Sequence, residues 1–207
     1  MYSKSFQELI KNPEKICSLL RGSGAHNTNL THWKKMRCFI VKAINKDGSI
    51  LDVGCGNGFL LKCLQEWSRF SLEPYGLDCI PEFIEQAKRL FPLQAQNFAI
   101  ADVDLLRSPD DFLRFNLPRQ YKFIYWNIWD NWLFEKQEQV IFLKLLFKAL
   151  NNQGRLILGF YESNNHKRET IKTIEFKLNW KFSGFLEVLV EDGKSECCIW
   201  FDKQGIS

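Results

Sequence analysis

The sequence predicts an α/β fold: a mainly parallel sheet of seven strands, helices on both faces, and an antiparallel hairpin at the C-terminal end. Three observations predict it. From residue 50 onward, short apolar runs alternate with segments of helical spacing, the pattern that strands and crossover helices leave in a parallel sheet. The run "ILDV" at 50–53 passes straight into glycines at 54, 56 and 58, a place where a strand end can meet a ligand. The last two runs straddle "EDGK" at 191–194, which reads as a hairpin turn.

The elements follow in order. The first 21 residues read as helix, broken near Asn12-Pro13 because proline removes a donor and clashes with the preceding turn. "GSGAHNTN" reads as a loop. "LTHWKKMRCFIVKAI" sets Trp33, Met36, Phe39, Ile40 and Ala43 along one helical side. A strand over 50–54 leads through the glycines into a helix over about 58–69. "PYGLD" is a second strand ending at Asp78, and Pro81 opens the helix "PEFIEQAKRLF". "NFAIAD" is a third strand ending at Asp102, and "SPDDFLRF" a short capped helix. "YKFIYWNIW" is the fourth strand and its exit. The long helix "EKQEQVIFLKLLFKAL" is closed by "NNQG", and "RLILGFY" is the fifth strand. A helix over 167–178 precedes the terminal hairpin. Residues 31–207 form one domain on this reading, and residues 1–30 a helical extension and candidate lid.

Composition excludes several classes. The 207 residues suffice for one substantial domain, and 45% hydrophobic with 25% charged content is that of a folded chain. No apolar run is long enough to span a membrane, and the N-terminus lacks the apolar core of a secretory signal, so the expected location is cytoplasmic. The seven cysteines (17, 38, 55, 63, 79, 197 and 198) form no C-x-x-C pair. With only His26, His32 and His166 to assist, they read as reduced, mostly buried thiols, and no metal site is expected. Residues 1–50 hold nine Lys/Arg against three acids, while the whole chain carries +4. This basic third reads first as a solvated helix face and second as a route to an anionic partner such as RNA. The expected state is a monomer or weak homodimer.

The glycine spacing discriminates between ligands. A dinucleotide fingerprint needs glycine at 59, where Phe59 stands, and the Gly-Lys-Ser/Thr of a P-loop is absent. The pattern D-x-G-x-G-x-G, with Asp78 twenty residues after Gly58, resembles the cofactor site of class I S-adenosylmethionine-dependent methyltransferases. The resemblance covers roughly residues 31–202 and implies their Rossmann-like seven-stranded fold. It implies that Asp52 orients the glycine loop beside the methionine ammonium, and that Gly54, Cys55, Gly56 and Gly58 build the methionine end. Asp78 would accept both ribose hydroxyls, with Cys79 and Ile80 flanking the adenine. Asp102 would accept from the adenine amino group with Val103 against the ring, and Asn127 would lie near the reacting sulfonium. Aminopropyltransferases share this fold, but "YWNIWDNW" does not match their acidic fourth-strand exit.

The acceptor is read from what surrounds this core. The N-P-P-Y type motif used on exocyclic amines is missing at "WNIWD", and no second domain is evident, so a small-molecule acceptor is expected. RNA is the runner-up, and a non-catalytic S-adenosylmethionine-binding protein the third reading. Asn127 would position the nucleophile. Trp126, Trp129, Trp132 and Tyr161 would line the acceptor site, with Asp130 completing a box for an amine.

Overall fold

In the computed structural model, which describes residues 2–23, 29–129, 131–161, 166–189 and 195–204, the chain opens with two short capped helices. Helix α1 (Lys4–Ile10) starts at Ser3, whose Oγ accepts from the Phe6 N–H at 3.2 Å. Helix α2 (Pro13–Arg21) starts at Asn12, whose Oδ1 accepts from the Lys15 N–H at 3.0 Å, with Pro13 in its first turn. Such caps satisfy donors that a helix start leaves bare. The expected break at Asn12-Pro13 is therefore where one helix yields to the next.

Helix α3 (Leu30–Arg37) is shorter than its sequence pattern, because Cys38–Ala43 tightens into a 3₁₀ helix. Aromatic and β-branched residues dominate "CFIV" and disfavour continued α-helix. The three-residue turn instead stacks Ile40 and Ala43, both buried. His26 and Asp130 and the "EDGK" turn lie outside the described residues.

The described chain forms two compact units, meeting in sequence between Ala101 and Asp102. In the first, β1 (Gly48–Val53), β2 (Leu72–Asp78) and β3 (Phe98–Ile100) are parallel, joined by α4 (Phe59–Trp67) and α5 (Pro81–Leu90). Asp52 pairs opposite Gly76, and Asp78 opposite Ile100. Phe6, Leu9, Ile16, Leu19 and Leu20 of the N-terminal helices are all buried, and the Ser3 N–H donates to Glu66 of α4 at 2.8 Å. The extension is thus packed as part of this unit.

One strand end differs from expectation. Strand β3 stops at Ile100, two residues before Asp102. The last ladder bond runs from the Ala101 N–H to the Asp78 carbonyl at 3.0 Å. The Asp102 side chain then accepts from the Asp104 N–H at 2.9 Å and turns the chain into the 3₁₀ segment Val103–Leu105. Aspartate offers the backbone this local alternative to a ladder.

In the second unit, β4 (Tyr121–Asn127) and β5 (Leu150–Phe160) are parallel, with α6 (Gln137–Lys148) between them in sequence. After α7 (Lys167–Leu178), β6 (Gly184–Leu189) and β7 (Ser195–Asp202) form the antiparallel hairpin, with β7 against β5. The seven strands are ordered β3-β2-β1-β4-β5-β7-β6, the expected mainly parallel sheet with helices around it. Strand β5 begins earlier than "RLILGFY" suggests. Leu150 pairs with Tyr121, Asn151–Gly154 is skipped with Gln153 at φ +59°, and pairing resumes at Phe123–Arg155.

Burial follows position. Strand β4 is almost wholly buried, as a central strand covered on both faces must be. Edge strand β6 alternates half-buried and exposed residues. At that edge Gly184 pairs with Trp200, and the indole fills the space that a Cβ would occupy. Gly184→Ala must push the ring aside, an overpacking cost on the order of 1–3 kcal/mol. Thermal unfolding should show a lowered midpoint, with faster amide exchange in β6 and β7 but not in β1–β3.

Candidate functional site

The glycines solve three different steric problems. Val53 ends β1, and Gly54, Gly56 and Gly58 follow with φ of +74°, +53° and +74°, a region costly for other residues. The Gly54 and Cys55 N–H groups both donate to the Leu77 carbonyl, at 2.9 and 3.0 Å, folding the loop back on β2. A Cβ at Gly56 would lie 2.6 Å from the Gly22 carbonyl oxygen, just past α2. Gly58 caps α4, and a Cβ there would press on Ala87 and Phe91 at 3.2 Å.

The Cys55 thiol donates to the Gly56 carbonyl at 3.4 Å and packs against β2. A Cβ on Gly76 would lie 2.7 Å from its sulfur, so the thiol fills the space left by Gly76 on β2. Burial, with Asp52 and Asp78 nearby, pushes that thiol well above its ordinary range. Only the Cys55 backbone remains for a ligand.

Two aspartates dominate the electrostatics. Asp78 accepts from the Gly56 N–H at 2.8 Å on one carboxylate oxygen and from the Ile80 N–H at 2.9 Å on the other. It therefore ties the glycine loop to the exit of β2. Asp52 is only 2% exposed and has no hydrogen-bond partner among the described residues. Burial first, and the Asp78 charge second, raise its pKa to about 8. Among the described residues no Lys or Arg pairs with either carboxylate. Beside them, Cys79 is exposed and Ile80 is 41% exposed, an open apolar shoulder.

The other predicted residues belong to the second unit. Asp102 is exposed and engaged as a cap, with Val103 half-buried next to it. Asn127 ends β4, its Oδ1 accepting from the Tyr125 hydroxyl at 3.4 Å. A Cβ at Gly159 would come within 2.9 Å of that oxygen, so glycine opposite Asn127 makes room for the pair. Trp126 corrects the expectation that it touches the acceptor. It is 0% exposed, ringed edge-on by Trp129, Trp132, Phe134 and Phe142 at 4.8–6.0 Å. A strand buried on both faces leaves no open side for its alternate residues. Trp129 is 38% exposed and packs edge-on at 5.7 Å from Trp132, which is half-buried. The Trp132 N–H donates to the Trp129 carbonyl at 2.9 Å, closing a turn. Tyr161 is half-buried just past β5.

Two polar residues were not singled out by sequence pattern. Asn57, between two glycines, is completely buried and makes several hydrogen bonds. Gln139 interrupts the apolar face of α6, and its Oε1 is buried with no partner among the described residues. It lines a cavity of about 490 Å³ together with Trp132, Phe142, Val103 and Arg107. A cavity of about 790 Å³ beside α1, α2 and α5 holds none of the predicted site residues.

A family model described as a methyltransferase domain matches residues 44–188. The chain belongs to the class I methyltransferases. S-Adenosylmethionine is the cofactor of this methyltransferase, and the fold comparisons agree with the family. A TehB-like S-adenosylmethionine-dependent methyltransferase of Corynebacterium glutamicum matches at 16% identity and TM-score 0.59, over 92% of this chain and 98% of its own. The N-methyltransferase NodS of Bradyrhizobium japonicum, in complex with S-adenosylhomocysteine, matches at 11% identity and TM-score 0.58, over 97% and 99%. TrmN of Thermus thermophilus matches at 16% identity and TM-score 0.58, over 82% of this chain and 49% of its own. No curated protein matches this sequence. No helix among the described residues is long and apolar enough to cross a membrane.

The buried Asp52 gives the ligand-free methyltransferase a pH signature. Its folded pKa of about 8 lies above the ordinary 3.8. The folded state therefore holds a proton that the unfolded chain has lost, and stability falls as pH rises from 3.8 to 8. Asp52→Asn should remove that fall. Thermal midpoints at pH 5 and pH 8 should diverge in favour of the variant at the higher pH, whereas parallel profiles contradict the assignment.

Proposed function

We propose that this methyltransferase transfers a methyl group from S-adenosylmethionine to a small-molecule acceptor, with the cofactor held by the glycine loop and the two buried aspartates. The observation that carries the acceptor reading is Trp129. A tryptophan 38% exposed, on a plinth formed by Trp126 and Trp132 at the exit of β4, is a fixed apolar surface that a flat or cationic ligand covers well.

The residues present fit the cofactor. Asp78 spends one lone pair of each oxygen on backbone donors and keeps the others for ribose hydroxyls. No Lys or Arg among the described residues pairs with Asp52, so a ligand ammonium would compensate it. Ile80 and Cys79 offer the adenine an exposed edge, and Gly54 and Gly56 bring backbone close without side chains. On this reading Asp102 exchanges its cap on Asp104 for the adenine amino group, with Val103 against the ring. S-Adenosylmethionine supplies a methyl group on a sulfonium, already activated toward attack. What the chain adds is alignment: Asn127, fixed between Tyr125 and Gly159, orients the acceptor nucleophile, and Tyr161 and Trp132 flank it. No protein base is required unless the acceptor must lose a proton early.

Two of the basic residues offered for RNA, Arg37 and Lys34, are engaged within the fold. Arg37 is buried with its guanidinium 4.9 Å above the Trp33 ring, and Lys34 donates to the Tyr2 hydroxyl at 2.7 Å.

Three measurements test the proposal. Calorimetry with S-adenosylhomocysteine should show at least tenfold weaker binding for Asp78→Ala, because charge-assisted bonds contribute about 1.5–3 kcal/mol each. Unchanged affinity in a folded variant removes Asp78 from the cofactor site. Release of S-adenosylhomocysteine with the dialysable fraction of a cell extract, and none with its RNA, supports the acceptor class. Release with RNA alone reverses it, and release with neither favours a binding protein. Trp129→Ala should raise the acceptor KM several-fold while cofactor affinity is kept; equal loss of both places the ring in the core.

A further inference from the structure

Asn57 carries more structure than a residue between two glycines needs. It is fully buried, yet all its polar capacity is directed to named partners. Its Nδ2 donates to the Leu19 carbonyl in α2 at 2.9 Å and lies 3.5 Å from Oε1 of Gln86 in α5. Its Oδ1 accepts from the Ser23 hydroxyl at 2.8 Å and from the Phe59 N–H, in the first turn of α4, at 3.2 Å. Its own N–H reaches the Gly22 carbonyl at 3.4 Å. Leu19, Gly22 and Ser23 all belong to the N-terminal extension.

The contact is also sterically closed. A Cβ on Gly22 would collide with the Asn57 carboxamide, and a Cβ on Gly56 would collide with the Gly22 carbonyl. Glycine on both sides lets two backbones approach with one carboxamide filling the gap. Aspartate could accept at Oδ1 but could not donate to Leu19, and leucine would satisfy neither side. The next residue back, Gly56, donates its N–H to Asp78. One loop therefore touches the extension through Asn57 and the carboxylate bridge through Gly56.

We propose that Asn57 is a positioning residue through which the C-terminal end of α2 sets the glycine loop for cofactor binding. The extension is then part of the cofactor site, although none of its residues need touch the ligand. The inference rests on the reading that this loop holds the cofactor. Coupling of this kind is reciprocal: if docking of Leu19–Ser23 favours binding, binding must favour docking by the same factor.

The experiment begins with the full-length wild type and S-adenosylhomocysteine. Binding there establishes the cofactor reading by itself, and absence of binding defeats that reading rather than this one. Ser23→Ala then removes one donor to Asn57 without altering the glycine loop. It should fold and weaken S-adenosylhomocysteine by about fivefold, as expected for one lost hydrogen bond of ordinary strength. Asn57→Ala should weaken it at least tenfold. Gln86→Ala, which removes the contact outside the extension, should bind as the wild type does. In the wild type the ligand should slow amide exchange over residues 13–23, and in Ser23→Ala that protection should shrink by the factor lost in affinity. Wild-type affinity in Ser23→Ala, with or without a lowered melting temperature, overturns the proposal, because a bracing role alone moves stability and leaves affinity unchanged. Should Asn57→Ala fail to fold, Ser23→Ala decides alone.

Discussion

A single carboxylate holds the site together. Asp78 stands at the end of β2 and receives one backbone N–H from the glycine loop and another from its own exit. Each is a charge-assisted bond in a buried place, where such bonds are strong. The path from β1 into α4 and the path from β2 into α5 are thereby referred to the same two oxygen atoms. This arrangement has a cost. A second carboxylate, Asp52, is shut in beside it with no donor among the described residues, and burial with the Asp78 charge raises its pKa to about 8. Functional sites concentrate such perturbed groups. A cation placed beside Asp52 would offset both causes of that shift, its burial and the Asp78 charge.

Around that bridge the loop is assembled from steric necessities. Gly56 must be glycine because the Gly22 carbonyl occupies its side-chain position, and Gly76 because the Cys55 sulfur does. The loop is therefore pressed on one side by β2 and on the other by the end of α2. The N-terminal helices bury Phe6, Leu9, Ile16, Leu19 and Leu20 against the same unit, so moving them exposes apolar surface. The extension read from its sequence as a candidate lid is packed here into the first unit. In the second unit the aromatic residues follow a comparable logic, with the buried Trp126 fixing the attitude of the exposed Trp129.

How much of this was legible in the sequence depended on whether the cause was local. The strand-loop-helix path at residues 50–60 was readable because left-handed glycine turns and a strand run have short-range signatures. So were the break at Asn12-Pro13, Pro81 at a helix start and the aspartate ending β2. The end of β3 was misread because Asp102 favours its own turn with Asp104 over the ladder, a competition that apolar patterning does not register. Trp126, expected beside the acceptor, stands in a strand buried on both faces and is itself fully buried. Asn57 was not singled out, since its partners Leu19 and Ser23 are 38 and 34 residues away. The early start of β5 was hidden by Asn151–Gly154, which reads as a turn and is one, inserted between two paired segments.

The most direct test of the central claim is proton release on cofactor binding. Calorimetry of S-adenosylhomocysteine at pH 7, in two buffers of different ionisation enthalpy, counts protons exchanged. A carboxyl of pKa about 8 is about nine-tenths protonated there, and an ammonium seated against it strips that proton. The expected result is release approaching one proton per site in the wild type and close to none in Asp52→Asn. Tight binding with no proton released by the wild type would contradict the claim, because the buried aspartate would then not be what receives the cofactor's charge.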